Sequence, residues 1–210
     1  MSSPSRAYRG AAAHERVAAR RERLIDAGID LFGTVGHRST TIEQICAQAG
    51  LSKRYFYESF SDSEALLLAC YQRCAGEIHQ EMVDAVIAAP DSMGARLHAA
   101  LAGYFGAIDN DPRHARITLL EILGVSASID TAYAAQTERF GTSVRALADE
   151  AFSVCPLPPA QLQIIAEGII GAITTVATQW LLDDRRRARD QVVAATQVLV
   201  LAVLERLESY

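Results

Sequence analysis

The 210-residue chain has few of the residues that interrupt helices or cross-link secreted folds. It contains 13 glycines, 6 prolines and 4 cysteines, and aromatic residues make up only 7% of it. Because alanine, leucine and arginine are plentiful instead, the composition favours helix over sheet. No apolar stretch typical of a signal peptide occurs between Met1 and Ala19. The four cysteines are therefore expected to be reduced thiols in the cytoplasm.

Several function classes are disfavoured by what is missing. No uninterrupted apolar run approaches the roughly 18–20 residues that span a bilayer, which argues against a membrane protein. The chain has no glycine-rich phosphate loop, nucleophile elbow or His-Glu-x-x-His motif, so we expect no enzyme and no cofactor. Cys70, Cys74 and His79 match no strong zinc spacing, so no metal site is expected.

Charge is divided unequally along the chain, whose net charge is −5. Residues 1–60 carry nine basic and six acidic side chains, whereas residues 61–210 carry eleven basic and nineteen acidic ones. A basic end on an acidic body is typical of a module that binds a polyanion and is attached to a separate scaffold. The alternative is that arginines near a terminus are simply solvated.

Apolar periodicity predicts an all-α protein with nine helices and no sheet. We expect a flexible arm over 1–15, a helix-turn-helix domain over 16–62, and a larger helical domain for ligand binding and dimerisation over 63–210. The helices are predicted at 16–33, 40–49, 53–59, 61–88, 93–108, 112–124, 128–153, 159–183 and 187–208.

The strongest functional signal lies in residues 40–60, which predict a helix, a tight turn and a second short helix. Gly50 permits the positive φ that such a turn needs, and Leu51 fills the space beneath it. This arrangement is typical of a DNA-binding helix-turn-helix, although an ordinary corner between two helices would share it. Two capping boxes are possible at the start of the first helix, Thr40 with Glu43 or Thr41 with Gln44.

The second short helix has distinct inner and outer faces. Phe56 and Phe60 are four residues apart and are expected to face the core. The outer residues then include Lys53, the only lysine in the chain, and Arg54. Arginine pairs with guanine edges, lysine reaches bases or phosphates, and hydroxyl groups donate to phosphate oxygens.

Five short motifs lie within residues 23–68: Ala27 to Phe32, Thr40-Thr41, Ala49-Gly50-Leu51-Ser52, Tyr57 to Phe60 and Glu64-Ala65-Leu66. Together they resemble the tetracycline-repressor (TetR) family of bacterial transcription regulators, a match that covers under a third of the chain. The resemblance implies a homodimer that binds a double-stranded, palindromic operator and responds to an unidentified small-molecule effector.

The resemblance also assigns roles within the helix-turn-helix, but two positions depart from the family pattern. Ser63 stands where the family usually has a lysine, and Glu43 where many relatives have an arginine. Both departures remove positive charge from the expected DNA-binding face. The implied phosphate contacts are Thr41, Ser52 and Tyr57, and the implied groove readers are Lys53, Arg54 and Tyr55.

The last two predicted helices are unusually apolar. Between residues 192 and 204 only Thr196 and Gln197 are polar, so this helix has no clear solvent face. A stripe of small residues at 168, 171, 172 and 175 on the preceding helix permits close helix approach. We interpret these patterns as a four-helix bundle shared by two subunits, with a monomer whose central helices are C-terminal as the alternative.

A regulator also needs a sensing pocket, which we expect between the helix from Ser61 and the C-terminal bundle. Each candidate could equally be an ordinary core residue. The chain is thus interpreted as a repressor released from DNA by a ligand, or alternatively as a helical ligand-binding protein or enzyme in which the helix-turn-helix is only structural. The candidate ligand contacts are Met82, Tyr104, Phe105, Glu121, Tyr133, Phe140, Thr178 and Trp180.

Overall fold

The computed structural model describes the backbone of residues 5–151 and 157–208, and the side chains of 14–142 and 157–207. Over these residues the chain is helical and has no strand, as the sequence predicts. The nine α-helices are α1 Ser5–Phe32, α2 Ile42–Ala49, α3 Lys53–Ser59, α4 Ser63–Ile87, α5 Met93–Asn110, α6 Pro112–Arg116, α7 Ala127–Ala151, α8 Pro159–Leu182 and α9 Arg189–Glu208.

Two helices differ from the prediction. Helix α1 begins at Ser5, within the segment interpreted as an arm, because its many alanines and arginines favour helix even without an apolar face. Helix α6 ends at Arg116 and continues as a wider π turn over Ile117–Glu121, where one helix was predicted over 112–124. In that turn the Thr118 hydroxyl donates to the carbonyl of His114 at 2.9 Å, which competes with regular helical bonding.

The start of α2 resolves the two capping alternatives in favour of Thr41. Its hydroxyl accepts from the backbone N–H of Gln44 at 3.3 Å, and the Gln44 side chain accepts from the backbone N–H of Thr41 at 2.8 Å. Thr40 is buried instead, and its hydroxyl donates to the Gly36 carbonyl at 2.8 Å. Thr40 thus stabilises the loop before α2, and Thr41 caps the first turn of α2.

Two hydrophobic cores lie along α4. The first joins α1 to α3 with the beginning of α4, and its centre includes the fully buried Leu24, Phe32 and Phe56. The second joins the end of α4 with α5, α8 and α9 around Phe105 and Trp180. Helix α4 contributes to both cores, so one uninterrupted helix joins the N-terminal domain to the larger domain.

Helix α8 is long and apolar enough to cross a membrane by length and composition alone. Only 28% of its most apolar window is buried within the chain. Its exposed residues include Ile164, Gly168, Gly171 and Thr175, which follow one face of the helix. This face is not covered by the described part of the chain.

Candidate DNA-binding surface and ligand cavity

The turn between α2 and α3 is fixed by a glycine and an arginine. Gly50 has φ 62°, a left-handed conformation that ends α2. The Arg23 guanidinium, from α1, donates to the carbonyls of Ala49 and Gly50 at this helix end. A Cβ atom at position 50 would lie 2.9 Å from Arg23 Nη2, so a side chain would disturb both the turn and this contact.

Helix α3 has the two faces that its sequence predicts. Phe56 is fully buried and Phe60 is 6% exposed, and both belong to the first core. Lys53, Arg54 and Tyr57 lie on the exposed face. This packing holds the short helix against the domain while its N-terminal half is presented outward.

The remaining predicted contacts differ in their accessibility. Thr41 and Ser52 are exposed, and among the described atoms the Ser52 hydroxyl makes no bond that caps α3. Tyr55 is half-buried, with the Arg20 guanidinium 4.3 Å above the centre of its ring. Five of the six predicted DNA contacts, Thr41, Ser52, Lys53, Arg54 and Tyr57, are thus exposed, whereas Tyr55 is partly covered.

Both cations on α3 are paired with carboxylates. The Lys53 ammonium donates to Glu43, and this hydrogen bond lowers the pKa of Glu43 and raises the pKa of Lys53. Arg54 Nε donates to Glu58 Oε1 at 3.1 Å. Because both ion pairs are exposed, the phosphate groups of a nucleic acid can replace Glu43 and Glu58 as partners of the two cations. The Glu43 carboxylate would still leave a negative charge beside Lys53.

Glu121, predicted as a ligand contact, lies instead at the junction of the two domains. Its carboxylate accepts from the backbone N–H of His37 at 2.8 Å and from Arg116 Nε at 3.0 Å. Gly36, at φ 96°, allows this approach, because a Cβ atom there would lie 3.2 Å from both carboxylate oxygens. Glu121 is not among the described residues that line the cavity, and its carboxylate bonds the loop that follows α1, so its role as a ligand contact stays a prediction.

A second set of charges strengthens the same junction, and sequence reasoning did not identify it. Arg113 donates to Asp30 at the end of α1 and, through Nε, to Asp111 Oδ1 at 2.8 Å. The hydrogen bonds from Arg113 lower the pKa of Asp111. A Cβ atom at Gly33 would lie 2.8 Å from Arg113 Cα, so α1 and α6 meet closely here. The available signal was the pair of glycines that follows α1, Gly33 and Gly36.

A cavity of about 120 Å³ lies among α4, α5, α7, α8 and α9 and reaches the π turn. On this scale one water needs roughly 10–15 Å³, so the space suits an organic molecule. Thr118 and Leu119 of the π turn also line it. Four predicted contacts line the cavity, namely Met82, Tyr104, Tyr133 and Phe140.

Three other predicted contacts do not line the cavity: Phe105 and Trp180 belong to the second core, and Thr178 is half-buried. Phe105 is fully buried, and its ring centre lies 5.7 Å from that of Trp180. The Trp180 Nε1–H donates to the carbonyl of Arg187 at 2.9 Å, and the Thr178 hydroxyl donates to the Thr174 carbonyl at 2.8 Å. The role of these three residues as ligand contacts stays a prediction, since none of them is among the described lining residues.

Residues 24–70 match the family described as bacterial regulatory proteins, tetR family. An HTH-type transcriptional activator, FasR, from Mycolicibacterium smegmatis is 26% identical over 181 residues, which cover 84% of this chain and 79% of FasR. The HTH-type transcriptional regulator BetI from Klebsiella pneumoniae is 34% identical over 87 residues, 41% of this chain and 45% of BetI.

The whole fold is also similar to solved structures. The regulator FadR from Bacillus subtilis, solved in complex with stearoyl-CoA, has a TM-score of 0.74 at 16% identity, with 85% of this chain and 96% of FadR covered. The fatty acid degradation regulator FadR from Bacillus halodurans has a TM-score of 0.72 at 18% identity, with 87% and 94% covered. These likenesses extend the match from the N-terminal domain to the arrangement of the larger domain.

Proposed function

We propose that this chain, a DNA-binding member of the tetR family of bacterial transcription regulators, is a homodimeric repressor released from its operator by a small apolar ligand. The observation that carries the proposal is that one chain combines a candidate DNA-binding helix with an apolar cavity. An exposed cationic helix follows a helix-turn-helix turn, and the uninterrupted α4 connects it to an apolar cavity.

The DNA contacts follow from the exposed face of α3 and the start of α2. Lys53 and Arg54 would enter the major groove, with Tyr55 at its edge beneath Arg20. The hydroxyls of Thr41, Ser52 and Tyr57 would donate to backbone phosphates, which position the protein without reading sequence. Contact with DNA would replace Glu43 and Glu58 as the partners of the two cations.

The dimer would form through α8 and α9. The exposed face of α8 includes two glycines, Gly168 and Gly171, beside which a Cβ atom would meet nothing within 4 Å in the described chain. On α9, Val198 and Leu199 are 68% and 45% exposed. Two copies of these faces would pack as a four-helix bundle, in which the small residues allow close approach and the exposed apolar side chains become buried.

Control by a ligand is supported by the cavity and by the π turn that borders it. The stearoyl-CoA bound by one structural neighbour has a long apolar chain, and the cavity here is also lined mainly by apolar side chains. Thr118 and Leu119 line the cavity, while Glu121 of the same turn bonds His37 of the N-terminal domain. A ligand that favours another position of this turn would shift the N-terminal domain relative to its partner.

The first test is selection of DNA from a pool of random duplexes with the purified full-length protein. We expect enrichment of an inverted repeat whose half-sites are separated by about one helical turn, roughly 34 Å, or a compatible multiple. Absence of any enriched sequence would contradict operator binding. Because FasR is an activator, a reporter carrying the selected site then decides the direction of control: we expect lower transcription with the protein present, and higher transcription would make it an activator.

A further inference from the structure

The wall of the cavity is uncharged. Among the described residues that line it, every side chain is aliphatic, aromatic or neutral and polar. An ionised carboxylate or ammonium group buried against such a wall loses its hydration and gains no partner of opposite charge. The part of a ligand that occupies the cavity should therefore carry no charge.

One polar atom of the wall lacks the partner that burial normally requires. Gln136 lines the cavity from α7, and its Nε2 atom is buried without a hydrogen-bond partner in the described part of the chain. Its other amide atom, Oε1, accepts from Arg139 Nη1 at 3.3 Å. Because the oxygen is held by Arg139, the donor group is the one left without an acceptor, and it is costly to bury in that state.

The threonine hydroxyls of the wall do not accept from Gln136 Nε2, and they do not compete with it as donors to a ligand. Thr137 donates to the Tyr133 carbonyl at 3.0 Å, and Thr174 to the Ile170 carbonyl at 2.9 Å. Thr118 donates to the backbone as well. The hydroxyl protons of these threonines are therefore already used in hydrogen bonds to the backbone. Toward a ligand, the threonine side chains present apolar methyl groups and weak acceptors.

Three tyrosines in the wall add further donors. Burial raises the pKa of Tyr71 and of Tyr104, and the nearby Tyr133 raises the pKa of both a little more. Both buried phenols thus stay protonated at neutral pH and can donate. Tyr133 lies one helical turn before Gln136, so the two side chains share the face of α7 that lines the cavity.

We propose that the cavity binds an uncharged, largely apolar molecule that carries a carbonyl oxygen, and that Gln136 Nε2 donates to this oxygen. Esters, lactones and ketones have the required chemistry, whereas a free fatty acid carries its charge at neutral pH. This inference rests on the proposed function, because it takes the cavity as the effector site. It adds Gln136, which sequence reasoning did not identify, as the residue that selects the ligand class.

The test uses the full-length protein and three probes. N-phenyl-1-naphthylamine, a neutral apolar fluorophore without a carbonyl, reports whether the cavity accepts apolar molecules. Methyl octanoate and sodium octanoate then compete with it at about pH 7.5, where the acid is ionised. We expect methyl octanoate to bind at least about tenfold more tightly than octanoate.

The matched variants are Gln136→Leu, which removes the unpaired donor, and Gln72→Leu, which changes an exposed glutamine of α4. Gln136→Leu should weaken methyl octanoate by about tenfold and leave the fluorophore affinity unchanged. Gln72→Leu should change neither. The melting temperature of unliganded Gln136→Leu should equal or exceed that of the wild type, because a buried unpaired donor is replaced by an apolar group.

The outcomes separate this inference from the proposed function. If the wild-type protein does not bind the fluorophore, both the ligand control and this inference are wrong. If the fluorophore binds but octanoate competes as well as the ester, the inference is overturned while ligand control stands. Equal ester affinity in wild type and Gln136→Leu also overturns it. Even if Gln136→Leu folds poorly, the competition of methyl octanoate and octanoate on the wild-type protein still tests whether the cavity prefers an uncharged ligand.

Discussion

Replacing Glu121 with alanine should weaken the junction between the two domains. The side chain is 13% exposed, and its carboxylate accepts from the backbone N–H of His37 at 2.8 Å and from Arg116 Nε at 3.0 Å. A hydrogen bond to a charged group contributes about 1.5–3 kcal/mol net. Arg116 is 39% exposed and can be rehydrated, so most of the loss comes from the His37 N–H. We expect a total loss of about 2 kcal/mol.

Thermal unfolding measures this loss. For a chain of this size about 2 kcal/mol corresponds to a melting temperature lowered by roughly 4–8 °C. Glu121→Gln should show a smaller decrease, because its amide oxygen still accepts from His37. The matched control is Glu81→Ala, at an exposed position of α4, which should melt within about 2 °C of the wild type. If the melting temperature falls equally in Glu121→Ala and Glu81→Ala, or falls in neither, Glu121 does not stabilise the junction.

Three further predictions address assembly, electrostatics and pH. Leu199→Glu should convert a micromolar dimer into a monomer in sedimentation, since it places a charge in a desolvated interface, and a monomeric wild type would contradict the bundle. Glu43→Gln removes the carboxylate beside Lys53, so the plot of log affinity for DNA against log salt should steepen by about 0.9 per subunit, and an unchanged slope would contradict neutralisation of a phosphate by Lys53. Burial lowers the pKa of His37 in the folded protein, against the raising effects of Glu64 and Glu121. The unfolded chain then binds the proton more tightly, so stability should fall as pH drops below about 6.5, and His37→Gln should fall less steeply in melting curves.

Local sequence was sufficient for the parts of the fold whose partners lie close along the chain. The capping box joins Thr41 to Gln44, three residues apart, and Gly50 immediately follows the helix that it ends. The apolar spacing of Phe56 and Phe60 likewise determines which side of α3 is exposed. Each of these features depends on about one turn of chain, so spacing predicts the turn and the faces of α3, and for the cap it leaves only the choice between Thr40 and Thr41.

The domain junction could not be predicted in the same way. Glu121 contacts His37 across 84 positions, and Arg113 contacts Asp30 across 83. Nothing in the local sequence distinguishes Glu121 from a solvent-exposed glutamate between two apolar neighbours. Glu121 lies in the π turn that follows Arg116, where the helical phase changes, and its carboxylate bonds the loop after α1.

The residues that line the cavity could not be separated from ordinary core residues by sequence alone. Tyr104 and Phe105 are neighbours with similar side chains, and both are buried, yet only Tyr104 lines the cavity. Periodicity assigns a residue to the apolar side of a helix, but it does not show where the packing of several helices leaves space. Gln136 was missed because a glutamine on a long helix is typical of a solvated face.

DNA recognition by α3 is tested most directly by titrating the selected inverted repeat, and an unrelated duplex, with wild-type, Arg54→Ala and Tyr57→Phe proteins. Arg54→Ala should lower affinity for the selected site by about ten- to a hundredfold and change the unrelated duplex much less, because a base contact carries sequence information. Tyr57→Phe should weaken both duplexes by a similar factor, because a phosphate contact does not. If both variants bind both duplexes as the wild type does, α3 is not the DNA-reading helix.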